Sequence, residues 1–333
     1  MNWTSKTPYR RLIMLGARML FVLVLPALVF CPPNGTANLT TGLSEEKASF
    51  SIKFQDEINP FHVTAVFVLP GELLNIGVVS PKTHHQYALE SRVKDFCFDG
   101  EATWQWHAPE KTGLYPVKIN DVTSNESMLL NVFVMVPLNA LKDGVLNGYR
   151  IGQYPAKPLK NLPLYRPPLG FVEVTPENKN TLVSPHFKLS QFLCKQEGQY
   201  PKYIVLRERL IYDLEHILTR VNESGYACQT LAVMSGYRTP YYNQAIRNVR
   251  YSRHQWGDAA DIYIDNNNDG VMDDLNGDGK VDYKDSVLLS RLIEGMESKS
   301  AYDRFIGGIG TYKPTRNHGP FVHVDTRGQR VEW

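Results

Sequence analysis

Short alternating runs dominate the first half of the chain. The stretches 51–54, 61–68, 74–78, 113–119 and 128–136 are apolar or alternate apolar with polar positions, and turn residues separate them. Alternation with a period of two sends successive side chains to opposite faces of a strand, so the pattern predicts an all-β sandwich over 45–137. Trp104 and Trp106 are expected in its core or rim, and His84 and His85 in a loop. Between Gly152 and Glu177 six prolines interrupt any periodicity. Proline fixes φ and disfavours helix, so 138–183 reads as a linker, either a semi-rigid spacer or a strap along the next domain.

From residue 184 the pattern changes to α+β. Leu206, Leu210, Ile211, Leu214, Ile217, Leu218 and Val221 recur at helical spacing, which predicts an amphipathic helix over 203–221. A buried strand is expected over 231–234, a second helix over 241–249, and alternating strands over 261–265 and 321–325. The last would place Phe321, His323 and Asp325 on one face.

Composition adds little and excludes some things. The chain has 333 residues, 43% apolar and 21% charged, enough for two domains with a sizeable core. A net charge of +2 with no basic run argues against a nucleic-acid partner. The N-terminus reads as an export signal over 1–37. Lys6, Arg10 and Arg11 precede an apolar stretch over 19–30, and Gly35-Thr36-Ala37 offers small residues for cleavage after Ala37. An uncleaved membrane anchor is the second reading, and lipid attachment at Cys31 the third. The protein is therefore expected to be periplasmic or extracytoplasmic, cleaved or anchored at the inner membrane. Cys194 and Cys228 fit either a disulfide or two buried thiols.

The chemistry concentrates in two segments, Ser252-Arg253-His254-Gln255-Trp256-Gly257-Asp258-Ala259-Ala260-Asp261 and Phe321-Val322-His323-Val324-Asp325. Paired as strands, they bring His254, Asp261 and His323 within reach of one another. Two imidazoles and a carboxylate leave the fourth position of a tetrahedral zinc open, the pattern of a catalytic site rather than a structural one. Upstream, Ser235-Gly236-Tyr237-Arg238 adds a guanidinium suited to a substrate carboxylate or a developing oxyanion.

These motifs, with Ser184-Pro185-His186-Phe187-Lys188-Leu189 before them and Thr326-Arg327-Gly328 after, resemble the zinc D-Ala-D-Ala carboxypeptidase group of the LAS-type peptidases. The fold of that group also occurs in the hedgehog signalling domain. The resemblance covers about 184–333. It implies His254, Asp261 and His323 as zinc ligands, with Arg238 binding substrate and stabilising the transition state. Many members of the wider family carry Glu three residues before the last ligand, where this chain has Pro320. Murein endopeptidases ending in Phe-Val-His-x-Asp share that departure. His318 and Asp325 remain as candidates for the proton-transferring group, Asp325 alternatively as an orienter of His323, so the base is unassigned. Ahead of this region, Trp104-Gln105-Trp106-His107-Ala108-Pro109 followed by Gly113-Leu114-Tyr115 resembles the ending of immunoglobulin-like accessory domains.

An acidic insertion at 265–285 is a second metal signal. Asp274, Asn276, Asp278, Asp282 and Asp285 occupy positions one, three, five, nine and twelve of an EF-hand-like loop, with Gly279 at six and Lys280 at seven. The spacing predicts calcium, and Asp at position twelve resembles dockerin-type loops. Asp265, Asn267, Asp269 and Asp273 form a partial upstream repeat, and a helix is expected over 286–296. Together these readings predict a zinc peptidase acting on peptidoglycan peptides. A catalytically silent wall-binding scaffold that retains zinc and calcium is the alternative.

Overall fold

The computed structural model describes residues 47–297 and 300–333, and the expectations for the signal segment and Cys31 lie outside them. Nine strands come first: β1 (Lys47–Phe54), β2 (Glu57–Phe61), β3 (Val63–Val68), β4 (Leu73–Val79), β5 (Tyr87–Ser91), β6 (Phe96–Phe98), β7 (Thr103–His107), β8 (Gly113–Asp121) and β9 (Glu126–Val134). They form a five-stranded sheet in the order β2-β1-β4-β7-β6 and a four-stranded sheet in the order β3-β9-β8-β5. Ile52, Ile76 and Trp106 of the first sheet and Ile119, Leu130 and Val132 of the second are buried in one shared core.

The continuous strand expected over 61–68 is broken at His62. Its first part pairs with β1 and its second runs parallel to β9, so the chain changes sheets within one apolar run. His62 sits at the bend, its Nδ1–H donating to the Ser127 carbonyl at 2.9 Å. Strands β5 to β7 carried no clear run in the sequence, because each is short and half polar.

The proline-rich stretch is a packed strap. It contains β11 (Val145–Leu146), β12 (Tyr149–Arg150) and β13 (Gly170–Val174); β13 joins β10 (Val136–Pro137) to β14 (Lys202–Ile204). Ile151, Phe171, Val172 and Val174 are buried. Arg166 and Leu164 give their carbonyls to Trp256 Nε1–H at 2.8 Å and Arg253 Nη1–H at 3.0 Å, which straps the segment to the loop carrying His254.

Helix α1 (Glu208–Glu223) begins five residues later than the spacing predicted, because Tyr203 and Ile204 are taken by β14. Helix α2 (Pro240–Ala245) is shorter than expected, since Arg247 adopts a positive φ of 56° that ends helical geometry. Helix α3 (Tyr283–Glu297) follows the acidic insertion. The remaining strands β15 (Ala232–Ser235), β16 (Ala259–Tyr263), β17 (Gly308–Tyr312), β18 (Phe321–Asp325) and β19 (Val331–Glu332) form one sheet in the order β15-β16-β18-β17-β19. The described residues thus have a mostly-β α+β fold with three α-helices. Cys194 and Cys228 are buried free thiols, not a disulfide.

Helix α1 ties the two halves together. Tyr212 and Thr64 hydroxyls meet at 2.9 Å, Glu208 accepts the Phe67 N–H at 3.1 Å, and Arg304 pairs with Glu57. His216 packs between Phe61, at 6.5 Å, and Phe305, at 4.9 Å between ring centroids. Burial, aided by Lys47 and Arg304, pushes the His216 imidazole down to about 4 from its ordinary 6.5. The unfolded chain therefore takes up a proton near 6.5 that the folded chain refuses until about 4, so stability present above 6.5 is lost as pH falls through that window. Denaturant midpoints measured at pH 7 and pH 4.5 should show a smaller acid-side loss for His216→Gln than for the parent. An equal loss in both proteins would remove His216 as the cause.

Candidate metal centre

Strand register brings the first two donors together. In the antiparallel pair of β16 and β18, Asp261 stands directly opposite His323. Directly opposed residues on one sheet face have Cβ atoms only about 4.5–5.5 Å apart. The carboxylate and the imidazole therefore meet as a consequence of pairing, with Asp261 Oδ1 lying 2.8 Å from His323 Nδ1.

The third donor comes from a buried single turn, Arg253–Trp256, that precedes β16. Gly257 ends it in the left-handed region at φ 71°, and a Cβ there would lie 2.3 Å from the Val205 carbonyl oxygen. Only glycine meets both demands. His254 Nε2 then lies 3.1 Å from both Asp261 Oδ1 and His323 Nδ1. Among the described residues, His254, Asp261 and His323 are the one group of three or more histidine, cysteine or carboxylate donors that converges.

Surrounding hydrogen bonds decide which atoms face inward. His254 Nδ1–H donates to the Gly236 carbonyl at 2.7 Å, which leaves Nε2 bare. His323 Nε2–H donates to Asp325 Oδ2 at 3.2 Å, which leaves Nδ1 bare. Asp261 turns Oδ2 outward to the Arg238 guanidinium and Oδ1 inward. Three lone-pair-bearing atoms thus converge, an arrangement that is repulsive without a cation or protons between them. Zinc bonds of about 2.0–2.1 Å at tetrahedral angles would space such donors about 3.3 Å apart, close to the separations found. The buried cluster can hold a metal ion.

The electrostatics describe the same competition. Burial alone would raise the Asp261 carboxyl, but the two imidazoles hold it well below the usual carboxylate range. Burial pushes His254 down, with Asp261 opposing. For His323 burial also acts downward, yet Asp261 and Asp325 overcome it and lift the imidazole to about 9. In the absence of a cation a proton on His323 relieves the lone-pair crowding, the substitution expected of a site that exchanges protons for metal.

No protein-family model matches the chain, and no curated protein is detectably similar to it.

The remaining expected site residues fall in different places. Arg238, directed at substrate by expectation, donates Nη2–H to Asp261 and Nε–H to Ser235 Oγ at 2.7 Å, so it braces a ligand while lining the pocket above it. Asp325 does not face the pocket. Its oxygens receive the Gly308 N–H at 3.0 Å and Arg327 Nε–H at 2.8 Å, besides His323, contacts that orient the imidazole. His318 is one layer removed; its Nδ1–H donates to the Gly319 carbonyl at 2.8 Å and its ring packs edge-on against Phe321. Neither His318 nor Asp325 lines the cavity above the cluster.

The acidic loop is a separate matter. Asp274 accepts N–H groups from Gly277, Asp278 and Gly279, Asn276 accepts from Asp278, and Asp278 accepts from Lys280 and pairs with Lys284. Asp285 is buried and accepts from Leu275, Asn276 and Asp282, while Asp282 accepts from Lys284. These contacts shape the loop, and its carboxylates by themselves form no converging group of three.

Above the metal cluster lies a cavity of about 480 Å³ lined by Val249, Tyr251, Tyr312, Phe321, Trp333 and Arg327, among others. Arg327 stood within the quoted motif without a role, and Trp333 carried no signal because a lone aromatic has no period. Arg253 and Asp258, also within the motif, form a buried pair, the Arg253 guanidinium lying 4.7 and 5.2 Å from the Tyr165 and Trp256 rings.

Removing the charge that orients His323 tests this assembly. Asp325→Asn should weaken zinc binding by about 10- to 100-fold in competition with a chromogenic chelator, with an unchanged circular dichroism spectrum. Unaltered affinity would show that Asp325 does not support the ligand.

Proposed function

We propose that this protein is a zinc-dependent peptidase of the D-Ala-D-Ala carboxypeptidase or murein endopeptidase kind, cleaving amide bonds in peptidoglycan peptides outside the cytoplasm. The observation that carries the proposal is the convergence of His254 Nε2, Asp261 Oδ1 and His323 Nδ1 at the floor of an open cavity, each held by an independent partner. A mixed set of two nitrogens and one oxygen suits zinc, and three protein ligands are the number catalytic sites use. When bound, the ion supplies Lewis acidity for the scissile carbonyl and for water.

The chain's own residues supply the rest. Arg238 sits beside Asp261, placed to hold a substrate carboxylate or oxyanion while keeping the ligand oriented. Three guanidiniums line the cavity, those of Arg238, Arg253 and Arg327, each paired with a carboxylate (Asp261, Asp258 and Asp325), so they offer oriented N–H donors to a substrate rather than a net positive field. The C-terminal sheet with α1 to α3 is read as the LAS-type peptidase unit, and β1 to β9 as an immunoglobulin-like accessory domain placing it against the wall. We read the acidic loop as a calcium site that gathers its donors on binding and steadies the connection between β16 and β18. No helix among the described residues is long and apolar enough to cross a membrane; the anchoring role is proposed for the N-terminal segment.

One observation favours a catalytically silent scaffold instead. Pro320 occupies the position of the family's glutamate, and no carboxylate or imidazole beyond the ligands lines the cavity.

Mass spectrometry of muropeptides decides between the two. The purified protein should release fragments from isolated sacculi, a chelator should stop it and zinc restore it, and His254→Ala should leave less than about 1% of the activity. A His254→Ala protein as active as the parent would sink the zinc mechanism. For the loop, calcium at about a hundredfold excess over its dissociation constant should add about 2.7 kcal/mol, read as a melting temperature several degrees higher in zinc-saturated protein. A melting point indifferent to calcium would remove that assignment.

A further inference from the structure

Trp333 is built into the wall of the metal cavity. Strand β19 runs parallel to β17, and Trp333 continues it, its N–H donating to the Ile309 carbonyl and its carbonyl accepting the Thr311 N–H, both at 3.2 Å. The indole lies flat against β17 over two glycines. A Cβ on Gly308 would come within 2.8 Å of the ring, and one on Gly310 within 2.7 Å of Nε1. Trp333 Nε1–H donates to the Tyr312 hydroxyl, and the ring sits 5.2 Å from the His323 imidazole and 5.3 Å from the Arg327 guanidinium. Despite this anchoring the residue stays 49% exposed and faces the cavity. Beside it the Tyr312 and Phe321 rings stack at 4.5 Å, and Val331 completes an apolar wall.

An immobilised, half-exposed aromatic surface next to metal ligands is costly to leave in water and gains by being covered. The guanidiniums and ligands serve the polar backbone of a substrate, which leaves this wall for a side chain. We propose that Trp333 is a substrate-positioning residue, and that the Trp333–Tyr312–Phe321 wall takes an uncharged apolar side chain next to the cleaved amide. The assignment rests on the peptidase reading above.

The test compares Trp333→Ala, Trp333→Phe and Gly310→Ala with the parent, each as full-length zinc-loaded protein acting on a soluble cross-linked muropeptide. Trp333→Ala should raise KM about tenfold with kcat within about twofold and zinc content unchanged. Trp333→Phe should recover most of the loss, and Gly310→Ala should reproduce it, because the added Cβ displaces the indole. An unchanged KM in Trp333→Ala and Gly310→Ala, with an active parent, overturns this inference and leaves the peptidase reading intact. Loss of zinc in proportion to activity also overturns it, by making the role structural. A parent with no turnover overturns both.

Discussion

The pairing of β16 with β18 in the register that sets Asp261 against His323 is the constraint on which the rest depends. Strand periodicity is two, so a one-residue slip of β18 would send His323 to the opposite face and set Val322 or Val324 against Asp261. The apolar side chains of the other face hold the register. Ala260, Ile262, Val322 and Val324 are buried in the core, which makes the slipped alternative bury His323 in oil and expose core side chains to solvent.

Buried ionisable groups cost several kcal/mol each by rough reckoning unless they are paired, and here the pairing is arranged in layers. Asp261 and the two imidazoles satisfy one another. Arg238 steadies Asp261 from outside, Asp325 steadies His323, and Arg327 in turn steadies Asp325. The Gly236 carbonyl does the same for His254 without adding charge. The result is a cluster whose inward atoms are all acceptors, poised for a cation, with its proton donors turned outward. The buried Arg253–Asp258 pair and the bonds of Arg253 and Trp256 to the Leu164 and Arg166 carbonyls hold the ligand-bearing turn against the proline-rich strap.

The N-terminal sheets are joined to this body through α1. Thr64, Phe67 and Phe61 meet Tyr212, Glu208 and His216, and Glu57 meets Arg304 and Arg209. A free spacer would make such contacts intermittent; here the β1–β2 turn contributes Gln55, Asp56 and Glu57 to a second polar cavity whose other walls include Arg253 and Arg327. The two halves therefore share a boundary one residue deep from the metal pocket.

Local chemistry in the sequence determined much of the candidate site. His254, Gly257, Asp261 and His323 occupy two short segments legible from residue type and spacing, and the helical stripe of α1 was legible from its period. Tertiary structure decided the rest, because those features depend on neighbours distant in sequence. The run over 61–68 divides between two sheets, since β1 and β9 each claim part of it. Tyr203 and Ile204 become strand rather than helix because β13 offers them an edge. His318 is drawn aside by Gly319 and Phe321, while Arg327 and Trp333, silent as isolated letters, are brought to the metal cluster by the return of β19 along β17. Periodicity reports which face a residue occupies within its own element; only the packing of elements decides what lies opposite it.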